Sequence, residues 1–171
     1  MSNIYFYILL YMLVDACFLL SFFIKKFYFP KNYKLLFHFL TMYVKAIPEN
    51  CSGCMVCEIV CSVWHWKVIN RRKAGIRIEK KSVVDDIPHV CSHGNNCNFE
   101  CIEACKFDAM KKKDGIVYVD YEKCTGCKAC ERACPLNAVW IYEKKAYKCD
   151  LCNGEPQCVK FCSQNAIILE G

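Results

Sequence analysis

Sixteen of the seventeen cysteines in this chain fall into four groups of four, and their thiols dominate the chemistry open to it. The groups are Cys51, Cys54, Cys57 and Cys61; Cys91, Cys97, Cys101 and Cys105; Cys124, Cys127, Cys130 and Cys134; and Cys149, Cys152, Cys158 and Cys162. Groups one and three share the spacing C-x2-C-x2-C-x3-C, and Pro135 follows the third. Thiolates are soft metal ligands. Three of them at i, i+3 and i+6 can grip three corners of one compact metal centre from a single loop. Ser52, Gly53 and Gly126 are small enough to let the backbone come close to such a centre. Inward N–H groups would then face the sulfurs. The fourth cysteine is expected at the start of a following helix, pointing away toward another centre.

Three chemistries compete for such a pattern. Disulfides suit small secreted chains, but they do not explain repeated triplets, and no convincing secretion signal is present. Zinc usually takes two C-x2–4-C pairs separated by a longer gap. Triplets this dense, repeated along the chain, overfill a zinc site. The regular spacing is that of bacterial ferredoxins, where it holds cubane iron–sulfur clusters and the fourth cysteine ligates the other cluster of a pair.

Composition agrees with thin cores. The hydrophobic fraction of 55% counts the cysteines themselves, so bound clusters are expected to act as part of the core and to couple folding to metal binding. The formal charge is +6. Sixteen thiolates and four cubane cores would bring it to roughly −2, which argues against a nucleic-acid surface. The run Lys111–Lys113 before Asp114-Gly115 is expected to be a solvated hairpin end.

Residues 1–41 differ from the rest. Ile4 to Ile24 is almost continuously apolar, about the length that spans a bilayer. Lys25, Lys26, Lys31 and Lys34 follow and would keep the cysteine groups on the cytoplasmic side. This stretch is either a membrane anchor or an upstream mis-start. Its bias toward residues of A/T-rich codons favours translation from Met42, and Cys17 is then absent or a small buried hydrophobe.

From Met42 to Gly171 the expected chain is α+β, with two ferredoxin-like halves. Met42–Ala46 and Ile76–Glu79 are predicted strands. Ala109-Met110 and Ile116–Val119 form a hairpin across Asp114-Gly115. Ala138–Tyr142 and Ala146-Tyr147 form another across Glu143-Lys144-Lys145, and Ala166–Leu169 closes the fold. Short helices are predicted near Cys57, Cys101, Cys130 and Cys158. The long segment Ser62–Val90 carries Trp64-His65-Trp66 and Arg71-Arg72-Lys73. It reads equally as a docking surface for another subunit or as a cover over a cluster edge. His65 is not expected to be a ligand.

The segments Cys51-Ser-Gly-Cys-Met-Val-Cys-Glu-Ile-Val-Cys61-Ser and Cys149-Asp-Leu-Cys-Asn-Gly-Glu-Pro-Gln-Cys-Val-Lys-Phe-Cys162, with groups two and three, carry a resemblance. Met42–Gly171 is similar to the four-cluster electron-transfer subunits of molybdopterin and tungstopterin oxidoreductases. Among these it resembles the small iron–sulfur subunits of tungsten aldehyde oxidoreductases. The resemblance implies two tandem, pseudo-twofold modules and four [4Fe–4S] clusters with interleaved ligands. Cys51, Cys54 and Cys57 would share a cluster with Cys162, and Cys149, Cys152 and Cys158 with Cys61. Cys91, Cys97 and Cys101 would share one with Cys134, and Cys124, Cys127 and Cys130 with Cys105. Group two departs from the family's C-x2-C-x4-C: Gly94 stands where a cysteine is expected, and Cys97 substitutes through a loop shift. That cluster could be altered or absent. Lys106 and Ser163 stand where the family shows proline.

Sixteen thiolates saturate four cubanes, leaving no open iron for substrate. No radical-SAM triplet, G-x-G-x-x-G or P-loop is present. The expected function is electron transfer, without catalysis by this chain, between a large pterin-containing catalytic subunit and a ferredoxin or other redox carrier. The expected site is cytoplasmic, with membrane attachment only through residues 1–41. A subunit of a hydrogenase or formate dehydrogenase complex and a free polyferredoxin are the alternatives.

Overall fold

The computed structural model describes residues 42–171 apart from Val84. The expectations placed on residues 1–41, Cys17 among them, lie outside the described residues. The elements run β1 (Tyr43–Ala46), α1 (Val56–Trp66), β2 (Ile76–Lys80), β3 (Asp86–Val90), α2 (Glu100–Glu103), β4 (Met110–Lys113), β5 (Ile116–Val119), α3 (Ala129–Ala133), β6 (Trp140–Tyr142), β7 (Lys145–Tyr147), α4 (Gln157–Lys160) and β8 (Ile167–Glu170). Short 3-10 turns occupy Pro48–Asn50, Arg71–Lys73 and Leu151–Gly154. Among the described residues no helix is long and apolar enough to cross a membrane.

The strands form four two-stranded antiparallel sheets, β1–β8, β2–β3, β4–β5 and β6–β7. Two of them are tight hairpins. Asp114 and Gly115 turn β4 into β5 with φ of 50° and 82°, the left-handed pair that matches strand twist. Glu143 and Lys144 do the same between β6 and β7, at 47° and 56° and without a glycine. Lys145, expected in the turn, therefore belongs to β7. Its ammonium reaches the Cys124 carbonyl at 3.0 Å, which holds it in line. The β1–β8 pair ties Tyr43 to Glu170 across the whole described chain, and Lys45 meets the Glu170 carboxylate at 2.7 Å.

Strand β3 carries no alternating signal strong enough to predict it, and Pro88 lies at its centre. Pro88 stands opposite Ile78. The Ile78 N–H turns away from the pair and donates to Glu58 Oε1 at 2.6 Å, so this position needs no donor from proline. Glu58 sits on α1, fully buried, and also accepts from Arg71 Nε. One carboxylate thus pins β2 and the Arg71–Lys73 turn to α1.

Two apolar cores result, and cysteines help to build both. Val44, Ile76, Ile78, Val90, Leu151 and Ile167 pack with Cys57, Cys61, Cys91, Cys149 and Cys158. Met110, Val117, Val139 and Ala146 pack with Cys101, Cys124 and Cys130. Cys134 packs against both.

Glu58→Ala leaves the Ile78 N–H buried without a partner and is expected to cost about 1–3 kcal/mol. The half-exposed Arg71 adds little to that loss. Glu58→Gln keeps an acceptor and should cost less. Anaerobic thermal melts of the loaded protein measure the difference.

Candidate metal centres

All sixteen clustered cysteines are free thiols. Their positions follow from a local geometry repeated along the chain. The residue two after the first cysteine of every group has a left-handed backbone: Gly53 (φ 64°), His93 (52°), Gly126 (70°) and Leu151 (62°). This bend turns N–H groups inward. The His93 and Leu151 N–H groups each donate to the sulfur of that first cysteine, Cys91 and Cys149, at 3.4 Å. The residue two before the third cysteine is also left-handed in groups one to three, at Met55, Phe99 and Lys128. The helices then start one residue before Cys57, Cys101, Cys130 and Cys158, close to expectation.

The fourth cysteines are not at helix starts, contrary to expectation. Cys61 lies in the middle of α1, and Cys105, Cys134 and Cys162 lie just past the ends of α2, α3 and α4. The triplet spends the helix N-terminus on its third cysteine. The short helices then run out before the fourth. Three of these fourth cysteines enter one turn, C-x2-[DN]-A, in which Asp108, Asn137 and Asn165 are left-handed. Asp and Asn tolerate that conformation. The buried alanine that follows leads into a strand. Ala109 and Ala138 donate N–H groups to Cys105 and Cys134 sulfurs at 3.3 and 3.4 Å. Cys61 receives its donor from afar, Gly75 N–H at 3.0 Å. The turn is a sequence signal that the cysteine spacing alone overlooks.

The thiols converge across groups. Cys51 faces Cys54 and Cys162, and all three line one pocket with Cys57. Cys105 lines a second pocket with Cys124, Cys127 and Cys130. Cys158 faces Cys61, Cys152 and, less strongly, Cys57, and also Cys149, which in turn feels Cys91. Cys101 faces Cys91, Cys134 and Cys97. The irregular group two therefore does bring Cys97 to its neighbours. Gly94 bends at φ 106°, and a β-carbon there would collide with the Phe99 ring.

Burial opposes ionisation of these thiols. It is the leading cause that lifts Cys57, Cys61 and Cys130 to about 12 and Cys101 to about 11. Burial also raises Cys149 and Cys158 strongly. Against it stand the N–H donors and one buried cation. Lys148 Nζ donates to the Cys149 carbonyl at 2.6 Å and to the Val117 carbonyl. Its charge favours the thiolates of Cys101 and Cys149. His93 is neutral, pushed down to about 2 by burial and by Lys148, and its Nδ1 accepts from Val117 N–H at 3.0 Å. Convergent thiols, unbridged, mostly buried or partly buried and several of them approached by N–H groups, fit a multinuclear thiolate-bound metal group.

Among the tryptophans expected to dock or to cover, Trp66 packs edge-on to Tyr121 and Tyr147 and donates to the Lys73 carbonyl at 2.8 Å. Trp64 is exposed beneath Lys67. His65 Nε2 lies 3.5 Å from Cys152 Sγ and 3.3 Å from Asp150, beside a thiol rather than remote from the sites.

Two family models for a 4Fe-4S binding domain match the chain, at residues 117–140 and 48–64. A polyferredoxin-like subunit of the aliphatic sulfonate oxidoreductase of Pyrococcus furiosus is 35% identical over 128 residues, covering 72% of each chain. The chain belongs to the ferredoxin-like [4Fe–4S] proteins. A ferredoxin of Methanocaldococcus jannaschii is 41% identical over 122 residues, 70% of this chain and 67% of its own. The electron transport protein HydN of Escherichia coli is 28% identical over 157 residues, covering 75% and 87%. Within this ferredoxin-like family the α+β fold and the [4Fe–4S] cofactor are as expected from the sequence.

Two outcomes test the local chemistry. A β-carbon on Gly126 would meet the Lys144 carbonyl carbon at 2.5 Å, so Gly126→Ala should lower the iron content of the chain by one cluster, about four iron, measured by iron and sulfide assay. Every ligand thiol must shed a proton to bind iron. With thiols raised by burial, iron uptake by the apo-protein should release protons and weaken as pH falls from about 8.5 to 6.5, followed by anaerobic reconstitution at each pH.

Proposed function

We propose that this chain is a four-cluster electron-transfer subunit. In this reading it passes single electrons between a tungsto- or molybdopterin catalytic subunit, of aldehyde oxidoreductase type, and a ferredoxin or similar carrier. The observation that supports the reading is the approach of thiols from different groups to one another, which we read as four sets of four. The sets are Cys51, Cys54, Cys57 and Cys162; Cys61, Cys149, Cys152 and Cys158; Cys91, Cys97, Cys101 and Cys134; and Cys105, Cys124, Cys127 and Cys130. Each motif contributes three ligands to one site and one to another, so the sites are linked in pairs, one pair through α1 and α4 and the other through α2 and α3. Two such pairs correspond to tandem, pseudo-twofold modules.

Bound in these sites, [4Fe–4S] clusters supply reversible one-electron storage. The residues supply the rest. Cysteine sulfurs hold the iron. The Gly75, His93, Ala109, Ala138, Ala146 and Leu151 N–H groups point at sulfur and stabilise its negative charge. Lys148 adds a fixed positive charge beside two of the sets. With every iron bound to four sulfurs, no position is left for substrate, so chemistry is assigned to a partner. The relative from Pyrococcus furiosus is itself named as the polyferredoxin-like subunit of an oxidoreductase, which supports a role beside a catalytic chain.

Anaerobic purification of the native complex tests the reading. The expected result is about 16 iron and 16 sulfide per chain, reversible bleaching on reduction, and a stoichiometric partner containing tungsten or molybdenum. A partner free of both metals would sink the pterin assignment. An iron content near 12 would remove the fourth site.

A further inference from the structure

An open groove of about 790 Å³ runs beside α1 and β2. Arg71, Arg72 and Arg77 line it, and Ile69, 77% exposed, forms part of its lip. Arg71 is committed to Glu58. The other two have no ion-pair partner among the described residues. Instead each guanidinium is held over a ring, Arg77 at 4.5 Å from Trp140 and Arg72 at 5.6 Å from Tyr142. Two carboxylates, Glu58 and Glu131, act on Arg77. Both are engaged by internal donors: Glu58 by Ile78 N–H and Arg71, Glu131 by Ile141 N–H at 3.0 Å. The groove therefore offers two positioned cations, neither in ion-pair contact with a carboxylate among the described residues, and the nearby Glu58 and Glu131 are already engaged by other donors.

Its walls give those cations a purpose. Ile78 lines both the groove and the pocket of Cys51, Cys54, Cys57 and Cys162. Ile141 lines both the groove and the pocket of Cys105, Cys124, Cys127 and Cys130. A molecule seated here is one isoleucine away from either thiol set. Those two pockets also hold the exposed thiols, Cys54 and Cys127. Permanent subunit interfaces are large and apolar, whereas brief electron-transfer contacts are small and guided by charge.

We propose that this groove docks a small acidic iron–sulfur carrier protein, whose carboxylates meet Arg72 and Arg77 while its cluster faces Ile78 and Ile141. The proposal rests on the electron-transfer reading above and names where the soluble carrier, rather than the catalytic subunit, engages.

Stopped-flow reduction of the loaded full-length chain by an acidic two-cluster ferredoxin tests it. The Arg72→Gln/Arg77→Gln double variant should lose about tenfold or more of the second-order rate constant at low salt, and its salt dependence should flatten. Iron content and reduction by photoexcited deazaflavin, which needs no charged groove, should match the unmodified protein. Arg77→Lys, which keeps the charge, should retain most of the rate. An unchanged rate constant and salt slope in the double variant would overturn the proposal. So would loss of binding to the catalytic subunit with carrier reduction intact. If the unmodified protein is not reversibly reduced by deazaflavin, the electron-transfer reading itself fails, a result distinct from either.

Discussion

Negative charge on buried sulfur is the constraint on which this structure turns. A thiolate in an apolar interior is costly unless cations or N–H groups surround it. Here burial, reinforced by neighbouring negative charge, drives Cys57, Cys61 and Cys130 up to about 12, well above the ordinary thiol. The fold answers with backbone. Left-handed residues two after each first cysteine, and three after three of the fourth cysteines, bend the chain so that amides point at sulfur. Such left-handed residues are strained when they are not glycine. His93 and Leu151 accept the strain because both are buried and packed. The elements are correspondingly short: strands of three to five residues and helices of four or five outside α1. Regular structure would consume the very N–H groups that the sulfurs require.

The same constraint accounts for Lys148. A buried ammonium with carbonyl partners but no carboxylate among the described residues is unfavourable on its own. It lies beside Cys149 and within electrostatic reach of Cys101. Anionic sulfur on two sides offsets the cost of burying the cation, and the cation lowers the cost of the sulfur charge. Each is a poor choice alone. Together they join the two apolar cores, one containing Cys149 and the other Cys101.

Much of this was legible in the cysteine spacing. C-x2-C-x2-C has a local geometric meaning in groups one and three, and the third cysteine of every group marks a helix start, so those near Cys57, Cys101, Cys130 and Cys158 could be placed within a residue. Asp114-Gly115 announced its turn through glycine. Glu143-Lys144 adopts the same turn without one, which blurred the hairpin and left Lys145 on the wrong side of its boundary. Strand β3 was hidden because Pro88 is tolerated only when the facing Ile78 N–H finds another acceptor. That acceptor, Glu58, lies twenty residues away on a helix. His65 was set aside because the cysteine count was complete. Its approach to Cys152 brings α1 to the Leu151–Gly154 turn, 87 residues along the chain, which no local pattern encodes.

Group two shows how far a spacing rule can bend. In the proposed assignment Cys97 takes the place of a cysteine expected at Gly94 and so comes from farther along the loop. The chain accommodates this through a cluster of left-handed residues, His93, Gly94, Asn96 and Phe99. The Phe99 ring fills the space a side chain at Gly94 would need. Lys112 lies over the Phe99 ring, 3.7 Å from its centre, so a hairpin residue holds the loop that carries Cys97. What the triplet motif fixes is therefore the direction of the amides and the convergence of sulfur. The number of residues between cysteines can change wherever a packed ring and a left-handed bend restore that direction.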